Sequence, residues 1–360
     1  MTTSQYPEPT HSTPQPTFVD TIEQPVEAMP PVGTTPPQEL ARDAAAGHRG
    51  AAWRLLYKIM ENDPRAVEAV ASQKDDNLAQ HLLQFIAFGT WAGKHFVIPP
   101  PLRSSYYART RLYTLFLPES GMQSAQAQRV LFPAAREQHP AFREAALNIL
   151  SVMNTPDALP VLLDALHDPI QAVRLQAIKG LERLKLPDTI PALTQALSGA
   201  DEQTTIQIFT ALASIGHPAV PTLLNLSASP SAWIRWNCMR ALGKISDYRA
   251  IPALTKALRD VDHGVAWMGA KELVEFGSLS IEPVLRSLAG GEITPWLVET
   301  AAYVLSNQRN PQVRPYLAPL LTQMHSFSYM HSGMSYTAHR VLNQMLEGGI
   351  IKQLSHHENR

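Results

Sequence analysis

The 360-residue sequence contains a single cysteine, Cys238. One thiol cannot form an intramolecular disulfide and cannot supply a multi-thiolate zinc or iron–sulfur site. Charged residues are also sparse, at 17% against 45% hydrophobic residues, and the formal net charge is -1. A near-neutral chain has no bulk electrostatic attraction to nucleic acid or to an acidic membrane, so we expect neither as a ligand.

Long hydrophobic runs are missing as well. The most apolar stretch, residues 82–92, is too short to cross a bilayer. The first residues do not show the basic region and apolar segment of a secretory signal. We therefore expect a cytoplasmic protein. We find no Ser-His-Asp or paired-carboxylate arrangement, and we predict no catalytic residue, no metal and no cofactor.

Proline is abundant in one zone only. Residues 1–38 contain nine prolines and four acidic residues, with no Lys or Arg. Such a segment buries too little apolar surface to offset its ordering entropy, which predicts a disordered acidic tail of net charge -4. The remainder has 30 basic and 27 acidic residues. The tail either solubilises the protein or occupies a basic surface of the body and inhibits it.

Residues 39–121 are predicted to be helical without a clear repeat. Apolar residues at helical spacing indicate one helix over 39–60 and another over 77–91. Residues 98–101 contain three consecutive prolines, which cannot continue a helix and predict an extended break. The helical pattern returns over 102–117.

From about residue 122 the chain repeats itself. Six apolar segments end in a leucine at intervals of 31, 31, 30, 31 and 32 residues, and a proline follows each leucine after nine or ten residues. A proline is well tolerated in the first turn of a helix, so each repeat predicts a pair of helices of which the second begins at the proline. Asp157 and Asp188 are predicted to cap two of these second helices. The leucines are Leu150, Leu181, Leu212, Leu242, Leu273 and Leu305, and the prolines are Pro160, Pro191, Pro221, Pro252, Pro283 and Pro315.

Each predicted helix has one apolar stripe, such as Val173, Ala177 and Leu181. A single pair of helices cannot bury its own stripes, so the pairs must stack on their neighbours. The sequence therefore predicts an all-α fold, a right-handed α-α superhelix over residues 122–346. A final helix near 334–345 follows an irregular insertion at 325–336, and residues 347–360 form a flexible C-terminus.

Residues 168–197 (DPIQAVRLQAIKGLERLKLPDTIPALTQAL) resemble the HEAT repeat, in the short form known as the phycobilisome-lyase HEAT-like repeat. The resemblance covers about residues 125–346. It implies a HEAT/armadillo-like solenoid whose first helices line a concave face. It also implies that a recurrent arginine bonds turn residues such as Asp168 between repeats, whereas the alternative is an anion-binding ladder. The matching residues are Asp168-Pro169, Val173-Arg174, Ala177, Leu181 and Pro191, and the hydrophobic–Arg step recurs at Phe142-Arg143 and Ile234-Arg235.

Three positions of the first helices share a face that is distinct from the core stripe. They lie nine, six and two residues before the terminal leucine. This face should be polar in water, yet the middle repeats place an apolar and aromatic strip there, edged with cations. Such a strip suits a partner with apolar anchors and acidic groups. Alternatively, the tryptophans pack between helices as core. The candidate partner-binding residues are Leu175, Lys179, Ile206, Trp233, Trp236, Arg240, Trp267, Lys271 and Trp296.

Two classes of function remain open from the sequence. The first is a non-enzymatic scaffold or adaptor that binds a protein or peptide on the concave face. The second is implied by the resemblance alone: a phycobilisome-lyase-like protein, or a chaperone for a tetrapyrrole or its acceptor protein. An enzyme of this kind would attach or remove a bilin. Cys238 occupies a small-residue position of the repeat and is predicted to be core, so no nucleophile is evident. The sequence gives neither the partner nor the oligomeric state.

Overall fold

The computed structural model describes residues 34–91, 111–325 and 331–352, and in these ranges the chain forms helices, turns and loops without a strand. Residues 1–33, the predicted break at 98–101, most of the 102–117 segment and residues 353–360 lie outside them. The chain divides into two compact units, Met1–Met122 and Gln123–Arg360. None of the described helices combines the length and apolar character needed to cross a membrane.

The first unit is helical, as predicted, but the helix expected over 39–60 is wrong. Two helices form there because Gly47 adopts a φ of +93° between them, a conformation that glycine takes without a side-chain penalty. The helix that follows was not predicted, and it begins at Pro64 after Asp63, whose carboxylate accepts the Arg65 backbone N–H. The helices are α1 (Pro37–Ala45), α2 (Arg49–Met60), α3 (Pro64–Gln73) and α4 (Asp76–Trp91).

The second unit is a stack of helical pairs. The helices are α5 (Ser124–Ala134), α6 (Pro140–Met153), α7 (Leu159–Ala165), α8 (Gln171–Leu184), α9 (Ile190–Gln195), α10 (Glu202–Ile215), α11 (Val220–Leu226), α12 (Ala232–Ile245), α13 (Ile251–Ala257), α14 (His263–Glu275), α15 (Ile281–Ala289), α16 (Pro295–Ser306), α17 (Arg314–His325) and α18 (His331–Glu347). The first helices of the pairs are α6, α8, α10, α12, α14 and α16. Each packs on the next first helix along the chain. The predicted all-α solenoid is therefore confirmed.

Each second helix begins one or two residues before its repeat proline, as the spacing predicted. The predicted caps Asp157 and Asp188 are wrong. Both lie inside three-residue 3-10 turns, and in such turns carbonyl oxygens of the turn accept the first backbone N–H groups. Side-chain caps occur instead on several first helices. Asp201, Asp262 and Thr294 each accept the backbone N–H three residues ahead.

The predicted core stripe is buried, since Val173, Ala177 and Leu181 have no exposed surface. Cys238 is buried as predicted, and burial raises the pKa of its thiol far above the ordinary value. Gly269 marks a close approach of α14 to α13. A Cβ atom at this position would lie 2.8 Å from the Ala257 Cβ, so the helices could not approach this closely with a larger residue.

The predicted final helix is present but begins earlier than expected. α18 starts at His331, so the second half of the insertion predicted at 325–336 is helical rather than irregular. Residues 326–330 lie outside the described part of the chain. α18 packs against α15 and α17 and buries Ala338, Val341 and Met345. It therefore covers apolar surface at the last pairs of the stack, which no further repeat covers.

Candidate partner-binding face

One side of the first helices has arginines that connect consecutive repeats. The Arg143 guanidinium on α6 donates from Nε to Asp168 Oδ2 at 2.6 Å and from Nη2 to Asp168 Oδ1 at 3.0 Å. Its Nη1 donates to the carbonyl oxygens of Glu137 and Gln138 at 2.9 and 2.7 Å. The guanidinium thus bonds its own preceding turn and the turn before the next repeat.

Two further Arg–Asp pairs repeat this arrangement. Arg174 Nη2 lies 3.2 Å from Asp201 Oδ2, and Arg235 makes two bonds of 2.7 and 2.6 Å to Asp260. The backbone N–H of Thr204, followed by further hydrogen bonds including that of Arg174, lowers the pKa of Asp201 to about 2. The inter-repeat role predicted for these arginines is confirmed. The anion-ladder alternative is wrong, because the guanidinium donors are bonded within the protein.

The opposite side of α12 presents two tryptophans. The rings of Trp233 and Trp236 stack with their centroids 5.5 Å apart and an angle of 4° between their planes. The Arg240 Cζ lies 5.6 Å from the centroid of the Trp236 ring, one turn further along the helix. This is a cation–π contact, and it holds the guanidinium beside the aromatic pair.

Helices α14 and α16 continue the aromatic surface. The Trp267 ring on α14 lies 4.9 Å from the Tyr303 ring on α16, centroid to centroid. The His263 ring lies 4.1 Å from the Trp296 ring and 6.2 Å from the Trp267 ring. Trp267 and Trp296 were predicted for this site, whereas His263 and Tyr303 were not. His263 and Tyr303 lie ten and two residues before their terminal leucines, on the same side of the first helices. The repeat alignment could therefore have identified them.

The Trp236 indole of α12 lies next to the start of α14. A Cβ atom at Gly264 would lie 3.9 Å from Trp236 Cδ1, so the indole reaches the first turn of α14. We call the resulting surface the aromatic face. It consists of Trp233, Trp236, His263, Trp267, Trp296 and Tyr303.

The aromatic face is open to solvent. Trp233, Trp267 and Trp296 are 38%, 37% and 50% exposed, and Trp236 is partly exposed. These tryptophans contact other aromatic rings, yet three of them keep more than a third of their surface in water. Leu175 on α8 and Ile206 on α10 are partly exposed at the equivalent position, so the apolar strip runs on to the preceding repeats. A contiguous exposed apolar surface of this kind is typical of a binding site.

Cations edge the strip along its length. Lys179 and Lys271 are exposed, and Arg240 is partly exposed. Two carboxylates lie nearby. Glu299 Oε2 is 3.8 Å from His263 Nε2, and Glu272 lies against Gly243 between α12 and α14. Burial raises the pKa of Glu272, although Lys271 and Arg240 act in the opposite direction.

Neither a metal-binding cluster nor an accessible thiol is found among the described residues. Among them, no three His, Cys, Asp or Glu side chains are grouped so that they could hold a metal ion. The chain's one thiol, Cys238, is buried, and its raised pKa keeps it protonated. It therefore cannot act as the nucleophile that covalent attachment of a tetrapyrrole to this chain would need.

Family comparison identifies the repeats. The family model described as HEAT repeats matches residues 128–205 and 190–268. Residues 128–268 of this chain are therefore HEAT repeats, and they include helices α6 to α13 and the start of α14. No curated protein matches the sequence.

Solved structures with a similar arrangement of helices include the complex of CpcE and CpcF of phycocyanin lyase from Nostoc sp. PCC7120. It is 20% identical, covers 71% of this chain and 96% of that chain, and has a TM-score of 0.32. The karyopherin Kap121p is 14% identical over 88% of this chain and 43% of its own, with a TM-score of 0.41. An engineered protein is 18% identical over 49% and 94%, with a TM-score of 0.31. Values this low identify no partner for this chain.

Proposed function

We propose that this protein is a non-enzymatic scaffold or adaptor that binds a protein or peptide partner on the aromatic face. The supporting observation is the exposure of three tryptophans from three successive first helices. Ring contacts join those of α14 and α16, and the Trp236 indole of α12 lies against the first turn of α14. An isolated exposed tryptophan needs no explanation. A continuous row of them leaves apolar surface in water that a partner would cover.

The exposed rings can supply the main part of a binding free energy. With a surface of roughly 250 Å² per large aromatic side chain, each of Trp233, Trp267 and Trp296 offers about 100 Å². Covering that area contributes roughly 2.5 kcal/mol per ring before the costs of association. Interfaces typically concentrate their energy in a few residues, and tryptophan and arginine are frequent among them.

The cations along the strip define which partner fits. Lys179, Arg240 and Lys271 present positive charge beside the rings. Acidic groups on a partner would meet these cations at the exposed rim, where charge pairing speeds association and favours one orientation more than it adds affinity. We therefore propose a partner with apolar anchors and flanking Asp or Glu residues.

The test combines Trp236→Ala with Trp267→Ala in the full chain. The double variant should keep the far-UV circular dichroism spectrum and thermal midpoint of the unchanged protein within a few degrees, because both rings are partly exposed. It should lose at least about 30-fold in affinity, since two anchor residues together contribute about 2 kcal/mol or more. Affinity capture from the native host would identify the partner, and titration of the purified partner would measure the loss.

Tyr248→Ala is the matched control. Tyr248 is 73% exposed and lies in the turn before α13, away from the aromatic face. Its variant should bind the partner like the unchanged protein. If the double tryptophan variant unfolds, or if it binds the purified partner as tightly as the Tyr248 variant does, the proposed function is wrong.

A further inference from the structure

The N-terminal segment of the chain has the composition that the aromatic face selects. Residues 17–29 (TFVDTIEQPVEAM) contain three of the four acidic residues of the first 38, and no basic residue. Apolar residues recur at every fourth position, at Phe18, Ile22 and Val26. The acidic residues Asp20, Glu23 and Glu27 alternate with them.

We propose that residues 17–29 are an internal ligand of the aromatic face and compete there with the external partner. This inference rests on the proposed function, because it takes the aromatic face to be a binding surface. The segment lies outside the described residues, so the inference depends on its sequence and on the geometry of the face.

The length of the segment matches the length of the strip. Thirteen residues in an extended conformation span about 40 Å at roughly 3.1 Å per residue. The strip runs across five first helices, from Lys179 on α8 to Trp296 on α16. Neighbouring helices pack about 8–10 Å apart, so the four intervals amount to about 32–40 Å. One such segment can therefore cross the whole strip.

The charge of residues 17–29 and their proline are consistent with binding on the aromatic face. The segment has a formal charge of -3, and Lys179, Arg240 and Lys271 provide three cations along the strip. Arg240 and Lys271 lie on neighbouring first helices, whereas Lys179 lies two first helices before Arg240. Two successive acids, about 9–12 Å apart in an extended segment, therefore match the one helix spacing between Arg240 and Lys271. Pro25 opposes a helical conformation, and extended proline-containing segments dock on surfaces lined with aromatic rings.

Competition for the aromatic face gives the inference a second readout. A segment bound on the face would exclude the external partner from the same rings and cations. We therefore expect the chain without residues 1–33 to bind its partner more tightly than the full chain.

A direct test uses a fluorescein-labelled peptide of residues 14–33, titrated into the chain without residues 1–33 and followed by fluorescence anisotropy. The expected Kd is about 100 µM or lower, and binding to the full chain should be weaker because its own segment competes for the face. Arg240→Glu with Lys271→Glu should weaken peptide binding at least tenfold. Lys256→Glu, an exposed lysine on α13, is the matched charge control and should leave it unchanged.

A charge exchange makes the assignment specific. The peptide with Asp20→Lys, Glu23→Lys and Glu27→Lys should not bind the unchanged face, but it should bind the Arg240→Glu, Lys271→Glu variant. If the natural peptide does not bind, or if Lys256→Glu weakens it as much as the double variant does, the inference is wrong. Loss of partner binding by the tryptophan variants, without any peptide binding, would overturn this inference and leave the proposed function standing. If the tryptophan variants lose peptide binding but still bind the partner normally, the proposed function is wrong and this inference stands.

Discussion

The two sides of the first helices use basic residues in different ways. On the turn side, Arg143 and Arg235 each bond a carboxylate of the following repeat and two carbonyl oxygens of their own turn. On the aromatic side, Arg240 lies against the Trp236 ring, and Lys179 and Lys271 are exposed. The first group of cations joins repeats, and the second remains accessible to a ligand.

Helix geometry explains how one helix serves both purposes. Arg235 and Arg240 are five residues apart on α12, which turns the second side chain about 140° from the first at 100° per residue. A cation therefore acts as a structural or a surface group according to its position relative to the terminal leucine. The difference between the two sides can be tested by removing one group at a time.

Loss of a turn-side arginine should have the largest effect on stability. Arg235→Ala leaves the largely buried Asp260 carboxylate without its guanidinium partner, and breaking a buried pair from one side costs about 3 kcal/mol. Urea unfolding followed by circular dichroism should show the loss. The stability of Arg235→Lys should lie between those of the unchanged protein and Arg235→Ala, since lysine keeps the charge but cannot make two parallel hydrogen bonds to the carboxylate. A loss below about 1 kcal/mol for the alanine variant would contradict the structural role.

Alanine substitution of two glycines of α14 should show that its core side tolerates added volume less well than its aromatic side. Gly269→Ala places a Cβ 2.8 Å from the Ala257 Cβ and 3.0 Å from the Leu254 carbonyl oxygen, so the helices must move apart at a cost of about 1–3 kcal/mol. Gly264→Ala meets only the Asp262 carboxylate at 3.1 Å and Trp236 at 3.9 Å, and it should change stability by less than about 0.5 kcal/mol. Thermal melts of the two variants give the comparison, and equal melting temperatures would contradict it.

Lowering the pH should destabilise the protein through protonation of Asp201 on the turn side. Its pKa is about 2 in the folded protein, below the ordinary 3.8, chiefly because the Thr204 backbone N–H donates to the carboxylate. The resulting stabilisation is present above pH 3.8 and is lost as the pH falls toward 2. Asp201→Asn can still cap α10 but cannot be protonated. Between pH 5 and 2.5 its urea midpoint should fall less than that of the unchanged protein. An equal fall would show that Asp201 does not contribute.

Loss of a cation on the aromatic side should have the smallest effect on stability. Arg240→Ala removes one cation–π contact at a partly exposed site, which contributes about 0.5 kcal/mol. Urea unfolding should place this variant close to the unchanged protein and far from Arg235→Ala. A destabilisation comparable to that of Arg235→Ala would mean that the two sides do not differ.

The repeat period predicted most helices of the second unit, because it can be read directly from the positions of leucine and proline in the sequence. The terminal leucines and the prolines define where each helix ends and begins, and stacking follows from the single apolar stripe. The period also predicted that Trp236 and Trp267 share a face. It did not predict that His263 joins Trp267 to Trp296, because ring contacts between helices depend on side-chain directions as well as on spacing.

Other misses have local causes. Asp157 and Asp188 precede prolines in the pattern of helix caps, but the 3-10 turns around them already bond the backbone donors. The helix expected over 39–60 is interrupted at Gly47, whose positive φ is not evident from hydrophobic spacing. In both cases a few backbone torsions override a periodic signal.

The Arg–Asp pairs do not run through the whole array. They connect α6 to α8, α8 to α10 and α12 to α14, whereas Thr205 and Ala266 occupy the equivalent positions on α10 and α14. Other contacts join those two steps. Arg249 donates to the His217 carbonyl oxygen between the α10 and α12 repeats, and Arg259 donates to the carbonyl oxygens of Ser287, Gly290 and Glu292 between the α14 and α16 repeats. The aromatic face crosses the step from α14 to α16, so a ligand lying on it would add contacts between these two helices, and binding and rigidity there would increase together.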